Sequence, residues 1–259
     1  FADPAANVAT LVSELPTLAD KGVELAVWPE AFLTGYCVSS REEALRIAIE
    51  REAPLFDDLA AACSKQRVHV IVGFAEKRGD RIFNSAAIIR ADGTRDFYCK
   101  THIPFMGLDR FVEAGDSLPV FQVGDAKVGI LICFDLRPPE AARTLMLKGA
   151  DLIVLPTNWP TGAEASPRVL AVARAIENKV YVAACNRIGE ENGFSFIGES
   201  TIVDPFGEVI ARAGNEAETL IADLDLSLPR NKRRIVIPGE YETTILESRR
   251  PELYGAIGE

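Results

Sequence analysis

A cysteine, a glutamate and a lysine follow three apolar stretches of the chain, and together they could carry out acyl-transfer chemistry. Cys133 ends the apolar run that begins at Val128, Glu30 follows the stretch Val23 to Trp28, and Lys100 directly follows DFYC. A thiol attacks an acyl carbon only as a thiolate, and its ordinary pKa of about 8.5 leaves it mostly protonated at neutral pH. It therefore needs a base such as Glu30, and a cation such as Lys100 can stabilise the oxyanion that forms.

Each of these residues also has an ordinary structural interpretation. Free cysteines are commonly buried as small apolar residues, a lysine at a strand end is commonly exposed, and a glutamate after a proline can begin a helix. The residues after Cys133 favour the chemical interpretation, because Asp135, Arg137 and the pair Pro138-Pro139 end the strand and allow a helix to begin. A thiol at a strand-to-helix turn is held rigidly beside backbone N–H groups that could bind an oxyanion.

Composition argues against several other classes of protein. The net charge of -10 and the pI near 4.9 argue against a nucleic-acid or anionic membrane surface. The five cysteines have no CxxC spacing, and with only two histidines we predict no metal site. The motifs GxSxG, GxxxxGKS/T and GxGxxG do not occur. No apolar run approaches the roughly 18 residues of a membrane span, and no signal peptide is visible, so we expect a cytoplasmic protein.

Apolar strands and amphipathic helices alternate along the chain without a linker, which predicts one α/β layered domain with a mixed sheet. The first helix is predicted over Asp3 to Asp20, and a longer one over Glu164 to Asn178. A strand is predicted over Thr219 to Leu224, and the tail from Leu228 to Pro251 is predicted to be irregular. Several strands end in a polar residue, and in layered α/β folds the functional site commonly lies at the carboxyl ends of the strands.

The motifs WPE, YCKTHIP and ICFDLRPPE, in this order and spacing, resemble the nitrilase superfamily of carbon–nitrogen hydrolases. The resemblance runs over nearly the whole chain and implies a single domain over residues 1–259, folded as a four-layer α-β-β-α sandwich with two mixed sheets. It implies no cofactor, and it implies homodimers or larger homo-oligomers, with the tail from Leu228 to Glu259 reaching over a neighbour. Family members open with a strand before the first helix, so Phe1 resembles the last residue of a strand that is missing or truncated here.

Carried over residue by residue, the resemblance implies a Glu-Lys-Cys triad. Glu30 would be the general base that takes the thiol proton of Cys133, and the thiolate would attack a carbonyl or nitrile carbon to form a thioacyl intermediate. Lys100 would stabilise the developing oxyanion together with the backbone N–H of Phe134. Glu30 would then activate the deacylating water.

The resemblance also implies residues that support the triad and bind the substrate. Many members carry a second glutamate in the loop after the lysine; here Asp109 stands at that position, with Glu113 as the alternative. The residues expected to line the substrate pocket, from their positions relative to the motifs, are Tyr36, Phe105, Phe134, Asn158 and Trp159. Trp159 and Phe105 could equally belong to the core or to a subunit contact.

The residues around the nucleophile also bear on the substrate. Nitrile-cleaving members usually resemble Cys-Trp-Glu, whereas the segment Cys133-Phe134-Asp135 is similar to the amidase branches. We therefore predict hydrolysis of a small linear carboxamide to a carboxylic acid and ammonia. A nitrilase or an N-carbamoyl amide hydrolase is the alternative, the latter needing a carboxylate clamp such as Arg137 or Arg168. A non-catalytic protein that uses Cys133 as a thiol sensor is a third hypothesis.

Overall fold

The computed structural model describes residues 1–258, and it contains two main β-sheets with helices on their outer faces. The α-helices are α1 (Pro4–Asp20), α2 (Arg41–Ile47), α3 (Leu55–Gln66), α4 (Pro139–Leu147), α5 (Ala171–Asn178) and α6 (Ser227–Arg230). The strands of the first sheet are β1 (Leu25–Val27), β2 (His69–Arg78), β3 (Arg81–Ile89) and β4 (Arg95–Cys99). Those of the second are β5 (Val120–Val123), β6 (Ala126–Ile130), β7 (Leu152–Thr157), β8 (Tyr181–Asn186), β11 (Thr201–Val203) and β12 (Val209–Arg212). Two separate hairpins are β9 (Ile188–Glu191) with β10 (Phe194–Ile197), and β13 (Arg233–Ile237) with β14 (Tyr241–Thr244).

Both main sheets are mixed, as predicted. In the first sheet the order is β1-β2-β3-β4, with β1 parallel to β2 and the other pairs antiparallel. In the second the order is β12-β11-β8-β7-β6-β5, in which β6, β7 and β8 are parallel neighbours. The segments that follow β1, β6 and β7 hold Glu30, Cys133 and Asn158, and Asn186 is the last residue of β8.

The two faces of each sheet have different partners, and this gives the four layers. Along β2, Val70, Val72 and Phe74 pack outward in a cluster with residues of α1 and α3, whereas Ile71 packs inward. The inward cluster joins the two sheets, since it also contains Ile130 of β6. Side chains of α4 and α5 cover the outer face of the second sheet. The predicted α-β-β-α sandwich is thereby confirmed.

The first helix begins where the sequence predicts it. The Asp3 side chain accepts the backbone N–H of Ala6 at 3.0 Å, and Pro4 occupies the first turn, where it loses no helical hydrogen bond. Leu11 and Leu15 on its inner face are fully buried. No helix within residues 1–258 is both long and apolar enough to cross a membrane.

Three predicted elements differ in the structure. The helix predicted over Glu164 to Asn178 begins with a π-helical turn, Ser166–Leu170, where Pro167 cannot donate a hydrogen bond. The tail predicted to be irregular contains α6 and the β13–β14 hairpin. The strand predicted over Thr219 to Leu224 is absent. No strand within residues 1–258 pairs with this segment, which instead lines a cleft of about 890 Å³ together with β1.

Candidate active site

Glu30 lies in a tight turn directly after β1. The turn packs against β2 at Gly73, where an added Cβ would stand 2.6 Å from the Glu30 Cα atom, so only glycine allows this approach. Ala31 has a φ of +50°, which places the turn in the left-handed region. The Asn158 side chain donates a 2.9 Å hydrogen bond to the Glu30 carbonyl oxygen. These contacts fix the backbone of a buried glutamate.

Lys100 follows β4 and is held at both its backbone groups. Its N–H donates to the carbonyl oxygen of Asn84 at 2.8 Å, and its carbonyl oxygen accepts the N–H of Gly115 at 2.8 Å. The buried ammonium donates to Glu30 Oε1 at 2.8 Å and to Asp109 Oδ2 at 2.6 Å. An ammonium has three N–H donors, so one remains beyond these two bonds. Lys100 thus lies between two carboxylates.

Cys133 lies in a strained turn between β6 and α4. We predicted that the strand continues to the cysteine, but β6 ends at Ile130, and Cys133 begins the 3₁₀ segment Cys133–Leu136. Its φ of +48° is in the left-handed region, which is rare for a residue with a side chain and recurs at functional sites. The hydroxyl of Thr157 and the backbone N–H of Asn158, at the end of β7, lie beside the thiol.

Asp135 holds the cysteine turn against the segment that follows Lys100. Its Oδ2 accepts the N–H of Ile132 at 2.9 Å and the hydroxyl of Tyr98 at 2.8 Å. Its Oδ1 accepts backbone N–H groups from Thr101 at 3.2 Å and from His102 at 2.8 Å. His102 Nδ1 lies 2.7 Å from the same oxygen.

One fully buried carboxylate therefore fixes the position of Cys133 relative to Lys100. The hydrogen bond that the His102 ring donates to Asp135 raises the pKa of His102. The contacts of His102 are those of a structural residue.

The three groups of the predicted triad influence each other's ionisation. Burial raises the pKa of the Cys133 thiol to about 12, the negative charge of Glu30 adds to this effect, and Lys100 opposes it. Burial also raises the pKa of Glu30, although Lys100 works against it. For Lys100, burial favours the neutral amine, but the charges of Asp109 and Glu30 outweigh it and raise the pKa above its ordinary value. At neutral pH these effects keep Cys133 as a thiol and Lys100 as an ammonium.

Two further side chains complete the buried group, and sequence reasoning did not give them these roles. Asn84 of β3 donates from Nδ2 to Glu30 Oε1 at 2.7 Å and to Asp109 Oδ1 at 2.8 Å. The Tyr36 hydroxyl donates to Asp109 Oδ2 at 2.8 Å. This bond orients Asp109, and the expected contact of Tyr36 with the substrate remains a prediction. Asn84 could have been noticed as an amide near the middle of the mostly apolar strand RIFNSAAII.

The remaining predicted residues have varied positions. Asp109, rather than Glu113, contacts the lysine, since Glu113 is exposed and pairs with Arg81. Trp159 is buried in the cluster that covers the second sheet.

Phe134 directly follows the cysteine and is 38% exposed, and its role in the oxyanion site remains a prediction. Phe105 is 89% exposed and lies outside the buried group, so its contact with a substrate also remains a prediction.

A second thiol–carboxylate pair lies close to Lys100 in sequence. Cys99 Sγ is 3.5 Å from Glu76 Oε2, and Glu76 also accepts hydrogen bonds from Arg51, Arg78 and Ser85. Successive residues of a strand point to opposite faces, and this pair lies on the outer face of the first sheet. Lys100 points to the inner face, where its ammonium contacts Glu30 and not Glu76. The geometry therefore favours Cys133 over Cys99 as the partner of Lys100.

Several buried oxygen atoms of the residues described above have no hydrogen-bond partner within residues 1–258. They are Glu30 Oε2, Asn84 Oδ1, Thr157 Oγ1 and Asn158 Oδ1. Buried polar oxygens are normally hydrogen-bonded, and the carboxylate and amide oxygens among these four can only accept. In the described part of the chain, no group of three or more His, Cys, Asp or Glu side chains is placed to hold a metal ion.

Comparison with known proteins identifies the family. The family model described as "Carbon-nitrogen hydrolase" matches residues 1–234. A protein of Pyrococcus abyssi named "Nitrilase" is 41% identical over 236 residues, which are 89% of this chain and 88% of that protein. An "(R)-stereoselective amidase" of Pseudomonas sp is 29% identical, over 98% of this chain and 94% of that protein.

The solved structure of a carbon–nitrogen hydrolase from Helicobacter pylori G27 superimposes with a TM-score of 0.86 at 24% identity, covering 99% of this chain and 94% of that one. It shows the same fold. This chain therefore belongs to the nitrilase superfamily of carbon–nitrogen hydrolases, enzymes that use a catalytic cysteine on small amide or nitrile substrates.

Proposed function

We propose that this enzyme hydrolyses a small linear carboxamide to a carboxylic acid and ammonia, with Cys133 as nucleophile, Glu30 as general base and Lys100 as oxyanion partner. The observation that carries the proposal is the bonding of the Lys100 ammonium to Glu30 and Asp109, on the inner face of the sheet, within range of the Cys133 thiol. The family indicates the class of reaction, and the three side chains provide the nucleophile, the base and the cation that it requires.

The first half of the reaction forms a thioacyl enzyme. Because the pKa of Cys133 is high, the thiol must lose its proton as it attacks, and Glu30 takes that proton. The sulfur bonds to the carbonyl carbon, and the negative charge that develops on the carbonyl oxygen is stabilised by the third N–H of Lys100. When the carbon–nitrogen bond breaks, the proton on Glu30 passes to the leaving nitrogen, and ammonia departs.

The second half reverses these roles. Glu30, again ionised, takes a proton from a water molecule that attacks the thioester carbon. The tetrahedral intermediate collapses with cleavage of the carbon–sulfur bond, and the proton held by Glu30 returns to the Cys133 sulfur. The acid leaves and the enzyme is restored. When the proton of Cys133 moves to Glu30, the negative charge of Glu30 is replaced by the one on the substrate oxygen. The total charge of the site is unchanged, and Lys100 contacts a negative group at each step.

The unpartnered acceptors support an amide rather than a nitrile. Glu30 Oε2 and Asn158 Oδ1 are buried oxygens without donors in residues 1–258. A carboxamide carries two N–H donors on its nitrogen, whereas a nitrile carries none, so of the two substrates the amide can donate to these oxygens and the nitrile cannot. A site whose acceptors stay unpaired binds the wrong substrate weakly.

Nitrile hydrolysis is the second candidate, because the Pyrococcus abyssi relative at 41% identity is named a nitrilase. The N-carbamoyl alternative has less support. Its candidate clamp Arg168 pairs with Glu199 at the surface, and Arg137 is exposed.

Ammonia release from matched substrate series decides between these candidates. Aliphatic amides, the nitriles of the same chain lengths and N-carbamoyl amino acids are compared by kcat/KM. We expect the amides to be preferred by at least about 10-fold, since an unpaired buried acceptor costs about 1–3 kcal/mol. Turnover confined to nitriles or to N-carbamoyl substrates would contradict the amidase assignment.

The nucleophile is tested in the same assay with two cysteine variants. Cys133→Ala should lose all measurable turnover, while Cys99→Ala, which alters the neighbouring thiol on the outer face, should retain it. If Cys99→Ala lost turnover while Cys133→Ala retained it, Cys99 rather than Cys133 would be the nucleophile.

A further inference from the structure

Among residues 1–258, Asn84 is the one neutral side chain that donates to both carboxylates around Lys100. Its Nδ2 lies 2.7 Å from Glu30 Oε1 and 2.8 Å from Asp109 Oδ1, so each of its two N–H bonds has its own acceptor. The amide orientation is unambiguous, because the opposite orientation would bring the amide oxygen against two carboxylate oxygens. Asn84 is fully buried, which strengthens both bonds.

The two oxygens of Glu30 consequently have different surroundings. Oε1 accepts from Asn84 and from the Lys100 ammonium, which lies 2.8 Å away. Oε2 is buried and has no partner within residues 1–258. When Glu30 takes a proton, it cannot place it on Oε1 without breaking one of these two bonds. The proton therefore goes to Oε2.

We propose that Asn84 is a positioning residue that assigns the two oxygens of Glu30 to separate tasks, with Oε1 binding Lys100 and Oε2 carrying the proton between Cys133, the leaving nitrogen and water. The proposal rests on the proposed function, because it assumes that Glu30 is the base. Asn84 also accepts the backbone N–H of Lys100 at 2.8 Å through its own carbonyl oxygen. One residue of β3 thus fixes the base through its side chain and the cation through its backbone.

Position along the strand supports this role. Asn84 and Lys100 lie on the inner face of the first sheet, the face that packs toward the second sheet and its cysteine turn. The next residue, Ser85, points outward and donates to Glu76 in the Arg51 and Arg78 ion-pair cluster. The two neighbours therefore provide a natural pair of variants, one at the site and one away from it.

The test is the pH dependence of kcat/KM for amide hydrolysis in Asn84→Leu. The hydrogen bond from Asn84 lowers the pKa of Glu30, so its removal raises that pKa. The rising limb of the profile, which requires ionised Glu30, should move to higher pH by about one unit, and kcat/KM at neutral pH should fall by about 10- to 100-fold. The loss should be mainly in kcat, with KM changed by less than about threefold.

Two further variants keep the result decisive. Asn84→Asp preserves the shape but adds a third carboxylate beside Glu30, and it should move the rising limb in the same direction even if Asn84→Leu folds poorly. Ser85→Ala should leave the limb unmoved. The role of Asn84 is overturned if the rising limb of the pH profile lies at the wild-type pH in Asn84→Asp, or in an Asn84→Leu variant that folds. Retained turnover in Cys133→Ala overturns the proposed function itself.

Discussion

Replacement of Lys100 by methionine should make the folding stability strongly dependent on pH. The ammonium lies 2.8 Å from Glu30 and 2.6 Å from Asp109, and all three side chains are completely buried. Methionine has a similar length but no charge, so Lys100→Met leaves two carboxyl groups together without a cation. Removing one partner of a buried ion pair costs about 3–5 kcal/mol when the remaining charge stays.

The variant can avoid much of this cost by keeping one proton on the carboxyl pair. The folded-state pKa of that carboxyl then rises above its unfolded value of about 4.3, so the folded state holds a proton that the unfolded state has lost. Stability must therefore fall as pH rises through this window. One proton corresponds to about 1.36 kcal/mol per pH unit, so the loss between about pH 5 and pH 8 approaches 4 kcal/mol. That figure agrees with the cost of the unpaired charge.

The measurement is the free energy of unfolding in urea at about pH 5, 6.5 and 8, followed by circular dichroism. Lys65→Met, an exposed substitution on α3, is the matched control and should follow the wild type at every pH. The reasoning is refuted if Lys100→Met matches the wild type throughout, or if its stability rises with pH over this range.

Two other substitutions test the contacts that orient the site. Tyr36→Phe removes the 2.8 Å hydrogen bond to Asp109, and unfolding in urea should show a loss of about 1.5–3 kcal/mol, since the acceptor is charged and buried; an unchanged midpoint would contradict this. Asp135→Asn replaces the carboxylate that raises the pKa of His102, so NMR titration should show that pKa falling toward its ordinary value. In the wild type, the stabilisation from His102 is present at low pH and is lost as pH rises through the raised pKa. A His102 titration that is the same in both proteins would disprove the assigned partner.

The layers and the ends of the strands could be predicted because they depend on local patterns. Apolar alternation marked the strands, and the Asp3-Pro4 pair marked the first helix. Glu30 and Lys100 are each placed by the strand that precedes it, and this made their convergence predictable. The segment Thr219 to Leu224 has the composition of a strand but pairs with no other strand. Whether such a segment joins a sheet depends on residues that are distant in sequence, so its composition alone could not show this.

The inner details of the site could not be predicted, since they depend on contacts between residues far apart in sequence. Nothing local shows that the amide of Asn84 joins two carboxylates, or that Asp135 gathers donors from the segment after Lys100. The positive φ of Cys133 is also imposed by its surroundings, since no glycine marks the turn. Local sequence indicated which residues could react, and the tertiary structure determined how they are oriented.

The most direct test of the account is to trap the acyl enzyme. The enzyme is mixed with a good amide substrate, quenched in acid within milliseconds, digested and examined by mass spectrometry. The account predicts the acyl group on the peptide that contains Cys133, with none on the peptide that contains Cys99. An acyl group on Cys99, or turnover with no acyl group on Cys133, would contradict it.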